Sequence, residues 1–241
     1  MVLTISPPEA NLSTTQSSDV VSNVVISDVI KDGENRVALT GISWIAYQQI
    51  LNALPQSRAA RLTYDRGILE ITNSSQTHEF SRCLIERFIR ILVLEMGMKL
   101  KTMGSTTMDF ENLQRGAEPD CAYYIQNQPN VAGKNVDFSQ DPPPDLVVEV
   151  DITHTDINKN KLYASMGVRE FWRYNGQELK IYTLEETNQE MRYRECDRSP
   201  TFPWMQKEYL YNFLAEARQD EIAAELKFRA FVKEKLGEGK K

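Results

Sequence analysis

At 241 residues the chain is long enough for one sizeable domain with additions, or for two small ones. Its 28 Lys and Arg against 34 Asp and Glu leave a net charge of −6, which excludes coating of nucleic acid through overall charge; any contact with DNA has to come from basic residues arranged locally or from a metal. No apolar stretch approaches the roughly 20 residues of a membrane span, the N-terminus lacks a secretory pattern, and Cys83, Cys121 and Cys196 are too few and too scattered for a disulfide framework or, with only His78 and His154, for structural zinc, so a soluble protein of a reducing cytoplasm is expected.

Residues 1–35, rich in Ser, Thr, Val and Asp, read as a flexible arm holding at most a short strand. "VALTGISWIAYQQILNALP" predicts a helix with Thr40 as N-cap, because Ile42, Ile45, Ala46, Ile50 and Leu54 recur at helical spacing and Pro55 follows. "RLTYDRGILEIT" predicts a hairpin turning at Asp65-Arg66-Gly67. "NSSQTHEFSRCLIERFIRILVLEMG" is the strongest helical pattern, capped by Ser or Thr and closed by Gly97, with Leu84, Phe88, Ile91 and Leu92 as its core stripe. "MKLKTMGS" and "EPDCAYYIQ" read as strands, "GKNVDFSQDPPP" as a loop, "DLVVEVDIT" as the most apolar strand and "DINKNKLYASMGV" as a helix ending at Gly167. "REFWRYNGQELKIYTL" is a second hairpin, turning at Asn175-Gly176. From about residue 199 a loop leads to a helical extension with a basic end. This order predicts an α/β (α+β) fold with a central mixed sheet flanked by helices, an extra N-terminal helix and hairpin, and a helical C-terminus, divided as 1–35, 36–198 and 199–241.

Chemistry concentrates in "DPPPDLVVEVDIT". Side chains alternate along a strand, so Asp145, Val147, Glu149 and Asp151 share one face and Leu146, Val148, Val150 and Ile152 the other. Glu149 and Asp151 then stand about 6.6 Å apart and repel unless a cation lies between them. Asp120, after Pro119, opens a neighbouring strand and is a third carboxylate for the same place. Oxygen ligands with few imidazoles suit a hard cation, Mg²⁺ or Mn²⁺. Lys159 and Lys161 follow on the next helix, where Lys159 shares a face with Tyr163. Taken singly, these features read as a solvated strand end, a turn residue and a solvated helix face, with Asp145 capping a loop; their combination points to a site.

"EPDCAYYI", "PPPDLVVEVDIT" and "NKLYASMGVREFWRYNGQELKIYTL", with "GISWIAY", "LTYDRGILEIT", "HEF" and "GSTTMDF" upstream, closely resemble the Uma family of restriction endonucleases over roughly residues 38–215. That family belongs to the PD-(D/E)xK nuclease superfamily, and the resemblance implies metal-dependent phosphodiester hydrolysis on a mixed sheet flanked by helices. It assigns the motif's Pro-Asp to Pro119-Asp120 and its acid to Glu149. The usual lysine falls at position 151, where this chain has Asp151; the resemblance moves the lysine to Lys159, four residues before Tyr163. Lys161 points about 200° away around the helix and is the weaker substitute. Glu79, beside His78 in the first long helix, is the acid that often completes such sites, although a helix N-terminus favours a glutamate without any catalytic role.

The leading expectation is therefore a DNA endonuclease acting as a homodimer, without a nucleotide cofactor. In it Asp120, Glu149 and Asp151, with Glu79 as the completing acid, hold Mg²⁺ or Mn²⁺ and Lys159 steadies the phosphate; His78, His154 and Lys161 are candidate nucleic-acid contacts. Asp120→Ala and Lys159→Ala are expected to abolish cleavage with the fold intact. The alternatives are a catalytically weak nuclease-fold protein that binds nucleic acid or another protein, and an interaction protein that uses its C-terminal helices.

Overall fold

The computed structural model describes residues 24–25, 35–55, 57–152, 155–187 and 190–238. Within them the strands form two six-stranded sheets, where the sequence pattern had suggested one. In the first, the strands run in the order β1 (Val24–Val25), β2 (Asn35–Thr40), β4 (Ile68–Asn73), β3 (Arg61–Asp65), β7 (Arg115–Ala117) and β6 (Met108–Phe110), every pairing antiparallel. The second is ordered β12 (Glu190–Cys196), β11 (Leu179–Thr187), β10 (Glu170–Tyr174), β9 (Leu146–Val150), β8 (Cys121–Tyr124) and β5 (Lys101–Thr102). Only β9 and β10 are parallel there, as a strand–helix–strand crossover requires. The expected N-terminal hairpin, β3–β4, is the centre of the first sheet because β2 and β7 pair with its two sides. Most of the expected arm lies outside the described residues.

The helices are α1 (Trp44–Ala53), α2 (Gln76–Glu95), α3 (Gln128–Val131), α4 (Lys159–Ser165), α5 (Lys207–Ala217) and α6 (Glu221–Glu238). Ser43, not Thr40, caps α1, its Oγ accepting from Ala46 N at 3.2 Å. Thr40 is claimed by the ladder opposite Ile68, which also leaves Ile42 ahead of the helix. Ser75 caps α2 through His78 N, and Gly97 takes the left-handed conformation (φ 66°) that lets the chain turn away. The hairpin turn at Arg66-Gly67 has positive φ at both residues, 43° and 101°, which matches the twist of the flanking strands.

The second sheet is covered on both faces. Leu146, Val148 and Val150 join Trp172, Ile181 and the apolar sides of α2, α5 and α6 in the larger core. The helical C-terminus, expected from the sequence, is part of that core: Phe88 of α2 stacks on Phe228 of α6 with ring centroids 4.4 Å apart. On the other face Ala122, Val147 and Phe171 pack with Leu162, Tyr163 and Met166 around α4. Trp172 and Tyr174 are buried and pack rather than face a ligand. Among the described residues no helix is long and apolar enough to cross a membrane.

Strand β7 runs directly into Glu118-Pro119-Asp120 and passes beneath α1 at Gly116. A Cβ there would collide with the Tyr47 hydroxyl and the Asp109 carboxylate, which are themselves hydrogen-bonded at 2.8 Å. Gly116→Ala is expected to destabilise the fold by about 1–3 kcal/mol through overpacking, read from urea unfolding; a change within a few tenths would show that the pair relaxes freely.

Candidate active site

Alternation decides which side chains meet. In β8 Cys121 belongs to the large core and Ala122 to the face under α4, so Asp120 falls on the α4 face. In β9 Val147 lies on that same face, and Glu149 and Asp151 with it. In β10 Phe171 does the same, and Arg173 follows it, directly opposite Glu149 in register. Three neighbouring strands thus deliver three carboxylates and a guanidinium to the end of the sheet that α4 covers.

All of this is buried. Exposure is 3% for Asp120, 3% for Glu149, 4% for Asp151 and 7% for Lys159, which overturns the solvated-strand-end and solvated-helix-face readings. Burying charge is tolerated only when it is paired. Lys159, the first residue of α4, places its ammonium 2.9 Å from Glu149 Oε2 and 2.6 Å from Asp151 Oδ1. Arg173 Nε donates to Asp151 Oδ2 at 2.8 Å, and Tyr163 OH donates to Glu149 Oε1 at 2.5 Å. Lys159 and Tyr163, four apart on one helix face, therefore grip the two oxygens of one carboxylate.

The titration directions follow. Burial pushes Glu149 up, and the nearby Asp151 adds to it; the Lys159 ammonium opposes both without overcoming them. Burial also pushes Asp151 up, but Lys159 and Arg173 together outweigh it and hold its carboxyl below the ordinary value. Burial alone would lower Lys159, yet Asp151 and Glu149 raise it above its ordinary 10.5, so it stays an ammonium at neutral pH.

Asp120 is held from the other side. Its Oδ2 accepts from Val150 N at 2.7 Å and lies 3.0 Å from His78 Nε2, and Arg61 pairs with its Oδ1. Burial, with the Arg61 guanidinium next, lowers His78 to about 4, which favours a neutral ring beside Asp120. His78, a candidate nucleic-acid contact from the sequence, thus sits buried behind Asp120. Arg61 also pairs with Glu79 at 3.0 Å. Glu79 is 40% exposed in its side chain and bonded to Arg82 at 2.8 Å, so it stands at the rim. Burial would raise it, but the hydrogen bond and charge of Arg82, helped by Arg61, lower it. Lys161 is exposed on α4, its backbone N donating to the Asn158 cap, and His154 lies outside the described residues. Asp145 does cap a loop, accepting from Ile125 N and Asn127 N at 2.7 and 2.9 Å.

Asp120, Glu149, Asp151 and Lys159 line one small cavity of about 20 Å³, together with Arg36, Arg61, His78 and Glu118. That is room for a single water-sized particle. Among the described residues no three His, Cys, Asp or Glu side chains are grouped to hold a metal ion. Both oxygens of Asp151 are taken by Lys159 and Arg173, as both of Glu149 are by Lys159 and Tyr163 and both of Asp120 by Val150 N, His78 and Arg61, so a cation entering here would displace one of these partners. Arg61 and Arg173 were missed from the sequence. The signal for Arg173 was available, an arginine inside the apolar strand "EFWRY" beside an acidic one; Arg61 comes from the hairpin sheet, whose packing against this site no local pattern announces.

A family model described as "Putative restriction endonuclease" (Uma2) matches residues 47–208. Comparison with curated proteins gives no match. Among solved structures the chain is similar to a crystal structure from Anabaena variabilis ATCC 29413 described as a "putative nuclease", with 14% identity, a TM-score of 0.47, and coverage of 72% of this chain and 99% of that one.

Proposed function

The chain belongs to the Uma2 family, whose model spans residues 47–208, and from that premise we propose that it is a metal-dependent DNA endonuclease. One observation carries the reading: Asp120, Glu149 and Lys159 converge, buried, on one small cavity at the strand ends. Asp120 and Glu149 are the residues that would hold Mg²⁺ or Mn²⁺, with water and substrate oxygens completing the shell, as is usual for a cation that keeps most of its water. When bound, the ion polarises the scissile phosphate and lowers the pKa of a coordinated water. Asp151 is assigned to positioning Lys159.

Lys159 is protonated and has no lone pair, so it is not the general base. Two of its three N–H groups hold Glu149 and Asp151, and the third remains for a phosphate oxygen, whose developing charge it offsets. Tyr163 and Arg173 keep the carboxylates in place while this happens. Cleavage of both strands would follow from a two-fold dimer matching the symmetry of duplex DNA. One observation favours a second reading, a binding module that takes no metal: Glu149 and Asp151 are already neutralised by the chain's own cations.

The two readings separate in one assay. Duplex and single-stranded DNA are incubated with the full chain in Mg²⁺, in Mn²⁺ and in EDTA, alongside calorimetric titration with Mn²⁺. Cleavage that EDTA abolishes is expected; neither cleavage nor heat of metal binding at millimolar ion leaves the binding module.

A further inference from the structure

Beside the catalytic cavity lies a second, open one of about 350 Å³, walled by Arg58, Arg61, Ser74 and Ser105, with Glu79 and Glu118 at its edges. Arg61, Ser74 and Glu118 line both cavities, so the two are continuous. Resting on the endonuclease reading, we propose that this second cavity binds the phosphodiester next to the scissile one on the same strand, with Arg58 as its principal contact.

The reason is an excess of donors. A guanidinium offers five N–H groups. Arg58 uses Nη2 on Glu118 and reaches the Pro55 carbonyl with Nη1 at 3.4 Å, while its Nε is buried without a hydrogen-bond partner. The N–H groups of Nη1 and Nη2 not used on Pro55 and Glu118 belong to a side chain that lines the cavity, and an entering oxygen acceptor can meet them there. Arg61, which lines both cavities, is held to Glu79 and Asp120. The two arginines face two glutamates, so the cavity is close to charge balance. That suits a singly charged diester better than a phosphate dianion. The volume lies in the range of pockets that hold a small ligand, enough for a nucleotide-sized piece of backbone.

The test is anisotropy of a fluorescein-labelled single strand and duplex over a salt series, with the full chain and Ca²⁺ in place of Mg²⁺. Arg58→Gln is expected to weaken binding about tenfold or more. It should also lower the slope of log affinity against log salt by about 0.9 on duplex or about 0.7 on single strand, the signature of one lost phosphate contact. Ser105→Asp, in an exposed turn that lines the same cavity, should weaken binding by like-charge repulsion and decides the matter if Arg58→Gln fails to fold. Wild-type affinity and slope in Ser105→Asp and in folded Arg58→Gln overturn the subsite while leaving the endonuclease reading standing. No binding by the wild-type chain to either strand overturns both.

Discussion

Lys159→Met is expected to destabilise the fold by about 3–5 kcal/mol, the scale of breaking a buried ion pair by removing one partner. Methionine matches the lysine in shape, so the loss reads the charge. Asp151 keeps Arg173, but Glu149 loses the one cation that, among the described residues, lies within hydrogen-bond reach, and keeps the Tyr163 hydroxyl. Its carboxyl, already raised by burial, must rise further. A group whose folded pKa lies above its unfolded one binds more protons when folded, so the variant gains stability as pH falls and loses it as pH rises through that folded pKa. The deficit against wild type should thus be largest in neutral-to-alkaline buffer and shrink in mild acid, and Glu149→Gln in the same chain should recover part of it. Urea unfolding at two pH values measures both. A deficit under about 1 kcal/mol would mean that the three groups are solvated in solution. The same burial corrects the expectation that Lys159→Ala leaves the fold intact: alanine would add a cavity to the stranded charge.

Asp120→Asn is expected to lower metal-dependent DNA cleavage by about 100-fold or more, the scale on which removal of one charge-stabilising group at a reacting centre is felt. The amide preserves the shape, and its carbonyl can still accept from Val150 N. It removes the negative charge that pairs with Arg61 and that would hold the cation. DNA affinity should stay level or rise, because one repulsive carboxylate is gone; the split between lost cleavage and kept binding separates a metal ligand from a structural residue. Cleavage at the wild-type rate would remove Asp120 from the site.

What the sequence made legible was local. The long helix was readable because Leu84, Phe88, Ile91 and Leu92 recur at helical spacing between a Ser75 cap and Gly97, and both hairpins because Arg66-Gly67 and Gly176 supply the positive φ such turns demand. Glu149 and Lys159 were found through strand alternation and helix spacing joined to a family resemblance. The pair β6–β7 was missed since three-residue strands are shorter than any window in which a period shows. That the hairpin β3–β4 belongs to a separate sheet was missed for a different reason: the pairing of β3 with β7 joins residues 50 to 54 apart, and nothing local encodes it. Burial of the acidic pair was illegible for the same reason, since it depends on α4 folding back across the strand ends.

The crossover β9–α4–β10 carries a consequence for the order in which the charges come together. Lys159 is 10 residues from Glu149 and 8 from Asp151, and Arg173 is 22 from Asp151, whereas His78 is 42 from Asp120 and Asp120 is 30 from Val150. Closing a short loop loses less chain entropy than closing a long one. One strand–helix–strand unit therefore contains both the two most awkward anions and the cations that tame them, and can bring them together early, before the hairpin sheet has docked. Asp120 and His78 join that frame only across longer loops, which lose more chain entropy on closing. The centre is thus built from a half that neutralises itself and a half that docks onto it.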